Sequence, residues 1–357
     1  MKSNTPVVVD VRAADVGYFS VKVSLGRHYE PTGVTVSTQI FPSLAPRLLA
    51  GMSPRSAMNN EPDGAVVKVD GVNYFVGRDA VLYSSGREPR PVFDDYCLSN
   101  KYMALLRGAL YYMSKDVGHP AEMVIKHLVV GLPLKNFTRY QGELQTRLVG
   151  EHLLPDPTEP KEVSRVSVQR VSVIVQPQGA LINHSLESGR DLNDSSSLLV
   201  VDAGGGNLGW FMSCGRQPNW PLSGAYSKSM LACACAVADG IDSNWRDNFE
   251  IIDRIDTAIR TCADSFITGG ETYPMAEHAC AIEAVLTESV DQLIFKTEKL
   301  ENLDAILFTG GGATVFYDYM KRKFPEHASI MHMDADPVFA NVKGFQMAGE
   351  YLTAASR

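Results

Sequence analysis

The sequence predicts an α/β protein of two lobes of similar build, each a mixed β-sheet flanked by helices. Segments of period-two apolar alternation interleave with segments of helical spacing along the whole chain, the pattern of a sheet covered on its faces. At 357 residues, 45% hydrophobic and 21% charged, the chain has apolar material for a large core and is long enough to divide. Each half also opens on the same phrase, an apolar strand, an aspartate, a glycine turn and a second strand: AADVGYFSVKV, then VVDAGGGNLGWF.

The elements follow in order. VVVDVRAADVGYFSVKVSL is β-branched and alternating and turns at Asp15 to Gly17, so it predicts two strands of a hairpin. The Pro-, Ser- and Gly-rich text over residues 41–60 predicts a loop. AVVKVDGVNYFVGRDA gives strand, Asp70-Gly71, strand, a strong hairpin signal. A helix is expected from about Tyr96 to Ser114, a buried strand in HLVVGLP, and a helix from about Lys135 to Gly150. VSRVSVQRVSVIV alternates through Val163 to Val175 and stops at Pro177. The polar gap LESGRDLNDSSS is the expected boundary between lobes. Helices are then expected over about Ser227–Ala238, Asn248–Ala263 and Met275–Thr297. A strand DAILFT, a helix through Lys323, a short strand SIMHMD and a last helix from Ala340 complete the order.

Composition removes several classes of function. The formal charge is −8 with Lys and Arg scattered, which argues against unaided binding to nucleic acid. The six cysteines form no CxxC pair and lack histidines at zinc spacing, so they read as small buried hydrophobes. No run of 18 apolar residues and no signal-peptide layout is present, so a soluble cytoplasmic protein without a membrane partner is expected. His127, the aromatic set Phe316, Tyr317 and Tyr319, and Cys233 with Cys235 read as packing. Trp220, Tyr226 and Trp245 fit a core or an interface equally.

Three glycine turns carry the chemistry. In the first two, a strand delivers Asp15 or Asp202 to its end, and the glycines let consecutive N–H groups converge on an anion such as phosphate. Aspartates beside phosphate need a divalent cation between, and Mg²⁺ held through its waters by few carboxylates suits that need. The third turn, Gly310 to Gly312, leaves room for a flat group beside a helix N-terminus. Lys22 can place a point charge on a phosphate. Any one such turn is equally consistent with plain hairpin geometry; the ordered set of three is specific. It is neither a P-loop nor a dinucleotide-binding fingerprint.

The order DVGYFSVK, VVGLP, PQG, VDAGGGN, FTGGGA and ANVKGFQMAGEY resembles the actin, Hsp70 and sugar-kinase superfamily, and within it the ParM-like actins that segregate plasmid or phage DNA. The resemblance implies an actin-like, ribonuclease H-like fold with duplicated sheets and a nucleotide cleft between lobes. It implies lobe I over residues 1–185, with a small insertion subdomain at about 33–95 and the C-terminal helix 338–357, and lobe II over residues 186–337. It implies ATP, or GTP, with Mg²⁺ held at Asp15 and Asp202 mainly through water. Nucleotide contacts would come from Asp15, Gly17, Tyr18, Phe19 and Lys22 in the first loop, and from Asp202, Gly204, Gly205, Gly206 and Asn207 in the second. The third would supply Gly310, Gly311, Gly312 and Ala313. Asn207 departs from the Thr that many relatives carry there, and no second acid precedes Trp210.

Hydrolysis needs a residue that orients the attacking water. Gln176 and Gln178 flank Pro177. The resemblance matches the Pro-Gln step, so Gln178 is expected to be catalytic with Asp202, against the plainer reading of an exposed turn glutamine. The expected function is a filament-forming ATPase whose head-to-tail self-contacts do not close, moving DNA through a DNA-binding adaptor protein. The alternatives are a non-polymerising small-molecule kinase, for which no acid stands out as a base, or a chaperone-like ATPase, disfavoured because the sequence ends at Arg357 without a substrate-binding segment.

Overall fold

A computed structural model of the chain describes residues 5–30, 33–48, 62–85, 93–155, 163–187, 196–215, 217–298 and 300–355. The first half contains β1 (Val7–Val16), β2 (Ser20–Glu30), β3 (Gly33–Pro42), β4 (Gly64–Val69), β5 (Val72–Gly77), α1 (Asn100–Asp116), β6 (Glu122–Leu132), α2 (Leu134–Leu148), β7 (Gly150–Pro155), β8 (Val163–Val168) and β9 (Val171–Val175). The helix α3 (Gln176–Glu187) follows. The second half contains β10 (Ser197–Ala203), β11 (Leu208–Cys214), β12 (Gln217–Pro218), β13 (Gly224–Tyr226), α4 (Met230–Ile241), α5 (Phe249–Arg260), β14 (Ser265–Thr268), β15 (Glu271–Pro274), α6 (Ala279–Lys296), β16 (Ala305–Thr309), α7 (Ala313–Lys323), β17 (Met331–Met333) and α8 (Ala340–Ala354).

Two mixed sheets organise the molecule. The first has the order β3-β2-β1-β6-β8-β7, with β9 also on β6; the second has β12-β11-β10-β16-β17, with β13 on β11. In each, the opening strand pairs antiparallel with its hairpin partner on one side and parallel with a later strand on the other: β1 with β2 and β6, β10 with β11 and β16. The repeated phrase in the sequence is therefore a repeated sheet core. Apolar residues of β1, β6, α1 and α2 fill the first lobe, and those of β10, β16, α4, α5, α6 and α7 the second.

Local chemistry explains most elements. Asp70 and Gly71 take positive φ, 46° and 81°, the geometry of a two-residue turn that matches strand twist, and β4–β5 forms around them. Ser99 caps α1, its hydroxyl accepting from the Tyr102 N–H at 3.1 Å. This cap starts the helix at Asn100, after a single 3-10 turn over Tyr96–Leu98. β3 belongs to the main sheet through β2, so only β4–β5 stands apart within residues 33–95 among those described. Residues 49–60 of the expected loop and 188–195 of the polar gap lie outside the described residues.

The chain does not stop being regular at Pro177. Proline fits the first helical turn, where its missing N–H has no partner to lose, and residues 176–187 form α3. α3 and α8 cross the molecule in opposite senses. α3 leaves the first sheet and sets Ala180 and Leu181 on Val200, Phe211 and Leu307 of the second; α8 leaves the second and sets Val342 and Phe345 on Ala13 and Val129 of the first. The two helices meet at glycines. A Cβ on Gly179 would lie 2.5 Å from the Asn341 carbonyl oxygen, and one on Gly344 would overlap the Gly179 carbonyl.

Candidate functional site

β1 carries Asp15 to its end, buried at 3% exposure and opposite Lys22 in the hairpin register. Lys22 Nζ stands 3.7 Å from Asp15 Oδ2. The Gly17 N–H donates to the Ser20 carbonyl at 3.2 Å and closes the turn. A Cβ on Gly17 would lie 2.9 Å from that oxygen, so the close approach needs glycine. Tyr18 lies against Tyr96 with ring centroids 5.0 Å apart, and burial pushes its phenol up to about 12.

β10 delivers Asp202 in the same way, opposite Gly209 of β11. The Gly204 N–H donates to the carbonyls of Asp202 and Asn207 at 3.1 and 3.0 Å, and the Leu231 N–H of α4 donates to the Gly205 carbonyl at 2.8 Å. The first two turns touch. Phe19 lies on Gly205, where a Cβ would come within 2.5 Å of the Phe19 ring. The third turn is tied to β10: the Gly312 N–H donates to the Ala203 carbonyl at 2.9 Å, and Gly310, at φ 89°, leaves space that a Cβ would fill 2.5 Å from Asp202 Oδ1. All three turns wall one cleft of about 330 Å³ between the sheets.

Residues 13–179 match the family model of the N-terminal domain of actin-like proteins. No curated protein matches the chain. Among solved structures, an archaeal actin homolog is 18% identical over 96% of this chain and 100% of its own, with a TM-score of 0.73. The ParM of a 15-stranded filament from Clostridium botulinum is 18% identical over 96% and 99%, with a TM-score of 0.72. The apo ParM of pSK41 is 16% identical over 98% of each chain, with a TM-score of 0.65. This chain has the ParM-like actin fold.

In this actin-like cleft, every site residue expected from the sequence is part of the lining except Gln178 and Ala313. Ala313 is the buried first residue of α7, at 1% exposure in the second core. Gln178 is not among the lining residues. Two residues along α3 it is turned about 200° from Gln176, and Gln176 is the glutamine that lines the cleft and donates from Nε2 to Asp15 Oδ1 at 2.6 Å.

The second carboxylate has a matching partner. Asn341, near the start of α8, donates from Nδ2 to Asp202 Oδ2 at 2.8 Å, while its own buried Oδ1 has no hydrogen-bonding partner among the described residues. Burial lifts the Asp202 carboxyl to about 6; the Asn341 bond opposes the rise, Asp15 adds to it, and Lys22 opposes it. Asp253, Asp256 and Arg260 of α5 also line the cleft, as does Met230, and Arg260 Nε donates to Asp256 Oδ2 at 2.7 Å. The signal for these three was present in DRIDTAIR, whose i, i+3, i+7 spacing puts them on one face of a helix. Asn341 carried no local signal, because its partner is 139 residues away.

Proposed function

We propose that this actin-like protein binds and hydrolyses ATP, or GTP, with Mg²⁺, and assembles head to tail into filaments that move plasmid or phage DNA in the cytoplasm through a DNA-binding adaptor. One observation carries the reading: two acid-ended hairpin turns, one from each sheet, touch through Phe19 and Gly205 and wall a single cleft together with a bare glycine turn set against Asp202. The archaeal homolog solved in complex with ADP and the botulinum ParM filament support it by likeness. Among the described residues no helix is long and apolar enough to cross a membrane.

Each residue then has a task. The N–H groups of Gly17 and Gly204 close the turns, so that those of Tyr18, Gly205 and Gly206 face phosphate oxygens, and Lys22 supplies a fixed positive charge. Gly310 to Gly312 admit the flat base. Gln176, in place of Gln178, orients the attacking water. The donor set fits magnesium: two oxygen ligands, Asp15 and Asp202, one of them held towards neutrality by burial, facing open space that can keep the ion's waters. Magnesium bound there neutralises charge on the phosphates.

The test is right-angle light scattering with phosphate release, run with each nucleotide, with and without EDTA. A magnesium-dependent rise in scattering followed by phosphate release is expected. Turnover without scattering would refute the filament, and absence of both would refute the nucleotide site.

A further inference from the structure

A second, smaller cavity of about 20 Å³ adjoins the cleft and shares Gly17, Tyr18, Pro133 and Gln176 with it. Tyr102 of α1 forms part of its wall. Its side chain is 1% exposed, and its hydroxyl finds no hydrogen-bonding partner among the described protein groups. The ring is held edge-on to Tyr96, centroids 5.8 Å apart at 86°, so the hydroxyl cannot swing elsewhere cheaply. Buried tyrosine hydroxyls ordinarily have a partner, and leaving one without costs stability.

The cavity is the right size and chemistry for that partner. A single water needs about 10–15 Å³ and two to four polar contacts. Tyr102, Asn136 and Gln176 are among the residues that line it, and their hydroxyl and side-chain amides are the polar groups these side chains can supply. Asn136 spends its Nδ2 on the Asp94 carbonyl at 2.7 Å, and Gln176 spends its Nε2 on Asp15, so each keeps a carbonyl oxygen to accept from a water. Tyr102 would donate to that water, which would donate onward to both amides.

We propose that Tyr102 is a positioning residue for Gln176, acting through one buried water in this chamber. The water fixes the Gln176 carbonyl, which leaves the Gln176 N–H aimed at Asp15 and rules out the flipped amide. The consequence for turnover rests on the nucleotide reading of the cleft; the water and its coupling to Gln176 do not.

The test uses Tyr102→Phe, which keeps the ring and removes only the hydroxyl. A crystal structure of the unsubstituted protein at about 2 Å is expected to show a water within hydrogen-bond distance of Tyr102 Oη that is lost in the variant. Melting separates the two cases by sign: Tm falls by about 2 °C if the hydroxyl was bonded, and rises if it was merely orphaned. Tyr102→Phe, Gln176→Ala and the double variant are expected to be non-additive in Tm, and additivity would overturn the positioning role. In turnover, kcat falls about fivefold with KM unchanged; an unchanged kcat in an active protein, or a dry chamber with raised Tm, overturns the proposal. An unsubstituted protein without turnover would overturn the nucleotide reading alone, with crystal and melting results still deciding the chamber.

Discussion

Replacing Asp202 by Asn should make the nucleotide-free protein more stable, and more so at neutral than at acid pH. The substitution keeps an oxygen for the Asn341 N–H and removes only the charge. Burial raises the carboxyl from 3.8 to about 6. The folded value lies above the unfolded one, so the folded state holds the proton more tightly, and stability is lost as pH rises from below 3.8 through about 6. At about 1.4 kcal/mol per tenfold, the ionised carboxylate costs about 3 kcal/mol near pH 7.5 and about half that near pH 5. For a chain of this size that is an increase in Tm of about 4 °C at the higher pH and about 2 °C at the lower. Scanning calorimetry of both proteins without nucleotide at the two pH values reads it directly. The same variant should lose the increase in Tm that magnesium and ATP give the unsubstituted protein. A gain that does not depend on pH, or a loss near pH 7.5, would refute the account of Asp202 as a buried carboxylate waiting for a cation.

Other substitutions separate the remaining assignments. Gln176→Ala should retain nucleotide affinity and slow phosphate release about 100-fold, whereas Gln178→Ala should match the unsubstituted rate; the reverse pattern would restore the expectation from the sequence. Gly205→Ala drives a methyl into Phe19, and should weaken nucleotide binding about tenfold by calorimetric titration, with Phe19→Ala on the same chain restoring part of the loss. Trp220 stacks on Phe137 of α2 at 6.4 Å and 11°, joining an aromatic from the second half to one from the first. Its fluorescence should change on nucleotide addition, and Trp220→Phe should abolish that change while Trp210 and Trp245 remain; a signal that survives the substitution would show that this contact does not move.

Much of this was legible because it is local. The Asp70-Gly71 hairpin, the two strand–Asp–Gly phrases and the amphipathic α5 are written within a dozen residues each. The hairpin β14–β15 is equally local: it turns at Gly269-Gly270, which take positive φ at 59° and 84°, in the gap between the helices expected to end at Ala263 and to begin at Met275. α3 is not legible for a different reason: proline ends a strand and begins a helix with equal ease, and the residues on either side do not say which. The cleft contacts that depend on tertiary approach had no local trace. Nothing near Phe19 announces Gly205, and nothing near Asp15 chooses between Gln176 and Gln178 until the helix sets their directions.

The most economical account of the cleft joins two features that the chain keeps far apart. Gln176 holds Asp15 and sits three residues before Gly179; Asn341 holds Asp202 and sits three residues before Gly344. Gly179 and Gly344 are where α3 and α8 cross backbone to backbone. Each cleft carboxylate is thus gripped by an amide about one helical turn from the shared crossing. The helix gripping the first lobe's aspartate packs on the second sheet, and the helix gripping the second lobe's aspartate packs on the first. A rotation of one sheet against the other would load this crossing, because the packed backbones cannot part there without losing their contact. A change at the crossing is therefore expected to reach both amides, each about one turn away. A methyl at the crossing tests this. Gly344→Ala should cost more than about 3 kcal/mol by overlap with the Gly179 carbonyl. In whatever folds, it should disturb the Asp15 and Asp202 sites together, seen as loss of magnesium-dependent nucleotide binding; an intact site with ordinary stability would show that the crossing does not set the cleft.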